Sequence, residues 1–173
     1  MALFQVFVFL AEYAEDEGIS EVGAAALVGV VGGASIVGRI GLGFVADRLG
    51  RIRTFQTCFL AMGLSYFVWL RSHTFAELLV FAVVMGVGYG GFIALSPAVI
   101  ADLFGTAGMG GVVGLQYTAA GIGGLVGPIA AGRVIDAHGY WWAIGGSGVL
   151  ALLSFVALLF LRRPGAVAVE SGG

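Results

Sequence analysis

Residues 38–53 read GRIGLGFVADRLGRIR. This stretch sets Arg39 inside an apolar segment, closes the segment with Asp47-Arg48, and adds Arg51 and Arg53 just beyond it. Charges gathered at one end of an apolar run mark where a hydrocarbon phase meets water, and a charge within the run asks for a special reason. The remaining sequence is of the same kind. Hydrophobic residues make up 60% and charged residues 10%, with a mean hydropathy of +1.04, which is far from the balance of a soluble domain. The composition is that of a polytopic membrane protein, since a soluble core has no need for long uncharged runs separated by short charged punctuation.

The apolar runs are 1–11, 22–46, 52–70, 75–101, 108–132 and 140–161, giving one stub and five full spans. Spans of about 20 residues match a hydrocarbon core of about 30 Å, whereas an eleven-residue run covers only about 16 Å. No Lys or Arg precedes the stub and no small-residue cleavage pattern follows it, so a truncated first helix is expected rather than a signal peptide. Barrel strands would alternate apolar and polar residues; these runs are apolar on every face, and the backbone is expected to be helical. The predicted fold class is therefore all-α, a polytopic membrane helix bundle over 1–163 with a tail at 164–173.

All eight basic residues are arginines. Arg48, Arg51 and Arg53 fall in the second connection, Arg162 and Arg163 follow the last span, and the first connection carries five acids and no base. The positive-inside rule then predicts a multi-pass protein with a cytoplasmic C-terminus, in a plasma (inner) membrane. Arg71 and Arg133 are single charges at outer span ends.

Few residues suggest chemistry. His73 and His138 lie in outer connections without a Cys or carboxylate at ligand spacing, so no metal is expected. Cys58 is alone and reads as packing. Gly86, Gly88 and Gly91 satisfy GxGxxG inside an apolar span, where no strand-to-helix turn exists to cradle a phosphate. No paired acids, Ser/His dyad or cofactor motif lies at depth, which argues against an enzyme, and nothing points to nucleic acid. The 31 glycines fall mostly within spans. Small-xxx-small pairs such as Gly29/Gly33, Gly86/Gly90, Gly110/Gly114 and Gly123/Gly127 are expected to let helices approach closely.

Arg39 is what packing does not explain. It precedes Asp47 by eight residues, about 12 Å of helix, which puts it near the bilayer midplane if Asp47 marks the cytoplasmic surface. A charge there costs at least about 2.5 kcal/mol and normally faces a cavity or a partner. An ion pair with another helix, snorkelling, and an anion site are the three readings. Asp47, Glu77, Asp102 and Asp136 all sit at span ends, while a guanidinium fork matches a carboxylate bidentately. In the fourth and fifth spans, Tyr89, Ser96, Gln116, Tyr117 and Thr118 add polarity, either for substrate or for interhelical hydrogen bonds, and Pro97 and Pro128 each remove a backbone donor.

Gly43-Phe44-Val45-Ala46-Asp47-Arg48-Leu49-Gly50-Arg51-Ile52-Arg53 resembles the G-x-x-x-D-R-x-G-R-x-R signature of the major facilitator superfamily, in the copy between helices eight and nine. Gly127-Pro128-Ile129-Ala130-Ala131-Gly132-Arg133-Val134-Ile135-Asp136 resembles the segment that closes helix eleven. With Gly38-Arg39 and the Tyr13–Ile19 connection, the pattern is most similar to the monocarboxylate transporter and oxalate/formate antiporter branch. The resemblance implies the C-terminal half, helices 7–12, of a twelve-helix carrier. Gly43, Asp47, Arg48, Gly50 and Arg51 would form a gating latch against the other half, and helices seven, eight, ten and eleven would line the cavity. Arg39, Tyr89, Gln116 and Tyr117 are the expected substrate-binding residues for a small organic anion.

One departure concerns coupling: proton-coupled members often carry an Asp one turn before the intramembrane Arg, and this chain has Ser35 there. Symport is thereby put in question, and antiport of anions needs no such group. The expected partners are the lipid bilayer, the anion, and either the missing N-terminal six-helix half or a second copy of this chain. A unit that transports only as a dimer, and a non-transporting assembly subunit, are the alternatives.

Overall fold

The computed structural model describes residues 2–106 and 109–160; Met1, Gly108, the Arg162-Arg163 pair and the 164–173 tail lie outside the described residues. The described chain is entirely helical: α1 (Ala2–Asp16), α2 (Glu21–Leu49), α3 (Arg51–Trp69), α4 (Phe75–Phe104), α5 (Met109–His138) and α6 (Tyr140–Leu159). A helix satisfies its own backbone polar groups, which is what an apolar sequence in lipid requires.

Local chemistry sets the boundaries. Ser20 caps α2 by accepting a hydrogen bond from the Gly23 amide at 3.3 Å. Thr74 and Glu77 form a reciprocal capping box at the start of α4. Only one residue separates α2 from α3, Gly50 at φ 93°, and only Gly139 at φ 86° separates α5 from α6. Both conformations favour a residue without Cβ. Pro97 and Pro128 lie within helices that run on past them.

Among the described residues, four helices, α2, α4, α5 and α6, are long and apolar enough to cross a membrane, one fewer than the five full spans read from the hydropathy pattern. The difference is α3, which begins with Arg51 and Arg53 and carries Thr54, Gln56 and Thr57. It packs mainly between α4 and α6, and its polar groups find partners both within α3 and on those neighbours. Thr54 Oγ1 donates to the Gly50 carbonyl at 3.1 Å, and Gln56 Nε2 donates to the Leu158 carbonyl at 2.8 Å. A helix sheltered this way needs less hydropathy than one facing lipid. α1 continues past its apolar run, through Glu12 to Asp16, to 15 residues.

The core fills the space among α1, α2, α3 and α4. Val6, Leu10, Leu27, Val31, Met62, Tyr66, Trp69, Leu78, Phe81 and Met85 are all buried. Tyr13 joins them and stands edge-on to Trp69 with ring centroids 5.9 Å apart. Its hydroxyl donates to the Ser72 carbonyl at 3.0 Å. Burial first, and then the neighbouring Glu17 carboxylate, push the Tyr13 phenol up to about 12, so the donor stays protonated at neutral pH.

Contacts arrange α1, α2, α4 and α5 as a ring, with α3 and α6 packed behind it. The tightest crossing is α2 on α4, and glycine makes it possible. A Cβ on Gly86 would lie 2.5 Å from the Val31 carbonyl oxygen, and one on Gly38 would lie 2.8 Å from the Val87 Cα. The pairs of small residues thus separate into two groups. Gly86/Gly90 and Gly123/Gly127 are buried, whereas added Cβ atoms on Gly29, Gly33, Gly110 and Gly114 would meet open space.

A candidate anion site across α2, α4 and α5

Arg39 projects from the part of α2 that crosses α4. Gly90 of α4 is seated against the Ser35 carbonyl and the Arg39 amide, so the α2 backbone at Arg39 is held by direct helix contact. The side chain itself is exposed, and among the described residues it has no hydrogen bond or ion pair. Gly32 and Gly43, one helical face with it, leave open space on either side. Ser35 instead turns inward, buried, with its hydroxyl donating to the Gly32 carbonyl at 2.7 Å. Of the three readings of Arg39, the ion pair with another helix therefore has no counterpart among the described residues.

Tyr89, adjacent to Gly90, is half-buried and packs edge-on against Phe7 of α1 with centroids 5.7 Å apart. Ser96 lies two helical turns further on, on the same face of α4. It accepts a hydrogen bond from Gln116 Nε2 of α5, so the polar groups of the fourth and fifth helices do meet. The other end of that amide, Oε1, is buried with no partner among the described residues. A buried carbonyl oxygen without a donor is costly, which makes it a group ready to accept one from a ligand. Tyr117 follows Gln116 but is 57% exposed. Helices α2 and α5 do not touch each other; they flank α1 and α4 from either side. Arg39 and Gln116 therefore belong to helices that are not in contact with one another.

The signature segment lies at the other end of α2. Asp47 and Arg48 are exposed in its last turns. Gly43 precedes them by one turn, and Gly50 turns the chain into α3. Arg51 then pairs with Asp102 near the end of α4, Nη1 to Oδ1 at 3.2 Å. At the other end of the bundle, a second contact joins the α1–α2 and α3–α4 connections, His73 Nδ1 to Glu17 Oε2 at 2.9 Å.

One polar pair escapes sequence reasoning. Ser147 of α6 donates to Gln5 Oε1 of α1 at 2.8 Å, with both residues buried. It pins the ring helix α1 to the outer helix α6. Gln5 is a single polar residue in an apolar run, and that isolation was the only available signal.

A family model described as the Major Facilitator Superfamily matches residues 1–173. Among curated proteins, the chain is similar to monocarboxylate transporter 3 of Rattus norvegicus, 32% identical over 142 residues, covering 79% of this chain and 29% of that protein. It is similar to an MFS-type transporter of Aspergillus niger, 31% identical over 166 residues, covering 90% and 38%. An aspyridones efflux protein of Emericella nidulans is 29% identical over 140 residues, covering 80% and 29%. The chain thus spans about a third of the length of these relatives. With its long apolar helices, this multi-pass membrane protein belongs to the Major Facilitator Superfamily, a family of transporters.

Proposed function

We propose that the chain supplies the C-terminal half of a secondary carrier that moves a small organic anion by alternating access, with Arg39 as the residue that holds the carboxylate. The observation that carries this reading is a guanidinium on a long apolar helix, exposed between glycines and without a carboxylate partner among the described residues. The desolvation of such a charge is offset when an anion binds it bidentately. The names of the monocarboxylate transporter relatives support the same substrate class.

Around the anion, Tyr89 and Tyr117 offer hydroxyls and the unpartnered Gln116 carbonyl accepts a donor. The anion cannot be bound and released from both sides of a fixed site, so the ring helices must rock against an opposing bundle. That bundle is an N-terminal half or a second copy of this chain. In this account Gly43, Asp47, Arg48, Gly50 and Arg51 form the latch. The Arg51–Asp102 pair steadies the start of α3 while the exposed Asp47 is free to cap a helix of the opposing bundle, worth up to about 2 kcal/mol. The latch end and the C-terminus face the cytoplasm. No titratable group accompanies Arg39 one turn earlier, so anion exchange asks nothing further of this chain.

The test is uptake of labelled monocarboxylates into liposomes carrying the chain. Uptake that disappears in Arg39→Ala and does not return in Arg39→Lys supports the proposal. Uptake that persists in Arg39→Ala contradicts it, and a wild-type chain that does not transport in any pairing favours an inert subunit.

A further inference from the structure

A concave surface lies away from the ring, between the end of α3 and the first half of α6. It encloses about 660 Å³. Its floor is formed where Gly145 and Gly146 remove two successive side chains from α6, and its walls are Phe67 and Leu70 on one side and Leu150 on the other. An added Cβ on Gly146 would meet nothing within 4 Å, and one on Gly145 would meet only Leu70 Cδ1 at 3.7 Å, an ordinary contact with the groove wall, so the space above Gly146 is not taken up by internal packing.

The two ends of the groove differ. At one end stand Arg71, just past the end of α3, and Trp141 and Trp142, which are 63% and 59% exposed and edge-on to each other at 5.3 Å. The other end is apolar, with Phe67 beside Gly148 and with Val149 and Leu150. Exposed tryptophans beside a basic residue are the signature of the boundary between headgroups and hydrocarbon. From Trp141 to Leu150 the groove follows α6 for about 14 Å, close to half of a hydrocarbon core about 30 Å thick. Its length is that of one leaflet. Arg71 is the one charge lining it, has no hydrogen-bond or ion-pair partner for its guanidinium among the described residues, and no carboxylate shares the lining. The acids that surround Tyr140, namely Glu12, Asp16 and Asp136, belong to α1 and α5 and are not part of the groove.

We propose that this groove binds one anionic phospholipid of the surrounding leaflet, with the headgroup phosphate on Arg71 and one acyl chain laid over Gly145 and Gly146. Charge selects the lipid class and the glycine floor receives the chain. The site is separate from the Arg39 region and does not depend on what is transported.

The chain's own tryptophans report on the site. Of the three, Trp69 is fully buried, and Trp141 and Trp142 line the groove. The chain is reconstituted into phosphatidylcholine vesicles containing increasing fractions of phosphatidylglycerol or phosphatidylcholine with dibrominated acyl chains, which quench tryptophan on contact. Brominated phosphatidylglycerol is expected to reach half-maximal quenching at about one fifth the mole fraction needed by brominated phosphatidylcholine, the value of one arginine near an anionic surface. Arg71→Gln should bring the two curves together, and Gly146→Leu, which fills the floor, should weaken quenching by both lipids. Equal quenching by the two lipids in the wild type overturns the proposal, as does a preference that survives Arg71→Gln. Resistance to both lipids, as when a second copy covers the groove, overturns it equally.

Discussion

Gly90 of α4 presses on α2 so closely that an added methyl would stand 3.0 Å from the backbone nitrogen of Arg39. The backbone position of Arg39 is thus set by a glycine on another helix. Gly90→Ala should force the two backbones apart, because the atoms it meets belong to the α2 main chain and cannot rotate away. Overpacking of this kind costs about 1–3 kcal/mol. Gly29→Ala, where the added atom meets open space, should change stability by less than about 0.5 kcal/mol. Thermal unfolding in detergent compares the two, and equal effects would show that the crossing is not close-packed at Gly90.

The buried Gln5–Ser147 hydrogen bond joins α1 to α6. Ser147→Ala leaves the Gln5 carbonyl oxygen without its donor. The expected loss is about 0.6–1.7 kcal/mol, the range for interhelical hydrogen bonds in membranes. Gln5→Leu combined with Ser147→Ala should cost less than the two single changes added together, and strict additivity in the unfolding measurement would refute the coupling.

The Arg51–Asp102 pair is partly exposed, with side chains 46% and 26% accessible. Its contribution to stability should be small, about 0.2–1 kcal/mol in a double-mutant cycle and lower at high salt. If the pair steadies the latch, Arg51→Ala should alter the transport rate more than the unfolding temperature, and the charge-exchanged Arg51→Asp/Asp102→Arg double variant should restore part of the rate. No rate change in Arg51→Ala would remove the pair from the latch.

Much of this architecture is legible in the sequence because lipid leaves the backbone little choice. Hydropathy alone locates α2, α4, α5 and α6, and the Asp47–Arg53 spacing carries the family. What hydropathy misses is partnership. Gly29/Gly33 and Gly86/Gly90 have the same spacing, yet the second pair meets a neighbouring backbone and the first faces open space, because spacing on one helix does not say which helix lies opposite. α3 falls below the apolarity of its neighbours; α6 supplies an acceptor for Gln56, whereas Thr54 and Thr57 bond carbonyls at the start of α3 itself. Within the candidate site, Arg39 stands out by the cost of its charge, whereas the unpartnered Gln116 carbonyl emerges only once Ser96 has claimed the amide nitrogen.

Tyr13 provides a pH-dependent probe of the helix end. Its phenol is raised from an ordinary value of 10.0 to about 12 by burial and by Glu17. A folded value above the unfolded one means that the stability tied to this group is complete below pH 10 and is lost as pH rises through about 12. Tyr13→Phe should cost about 1 kcal/mol at neutral pH through loss of the bond to Ser72. The gap between wild type and Tyr13→Phe in unfolding temperature should close between pH 10 and 12; a constant gap would contradict the assignment.

The central claim, that Arg39 holds the carboxylate, is tested most directly by equilibrium binding of a labelled monocarboxylate to the purified chain in lipid nanodiscs. Removing one partner of a bidentate charge pair should weaken binding roughly thirtyfold or more in both Arg39→Ala and Arg39→Lys, with the neutral amide analogue failing to compete. Binding by Arg39→Ala within about twofold of wild type, well short of that loss, would contradict the account.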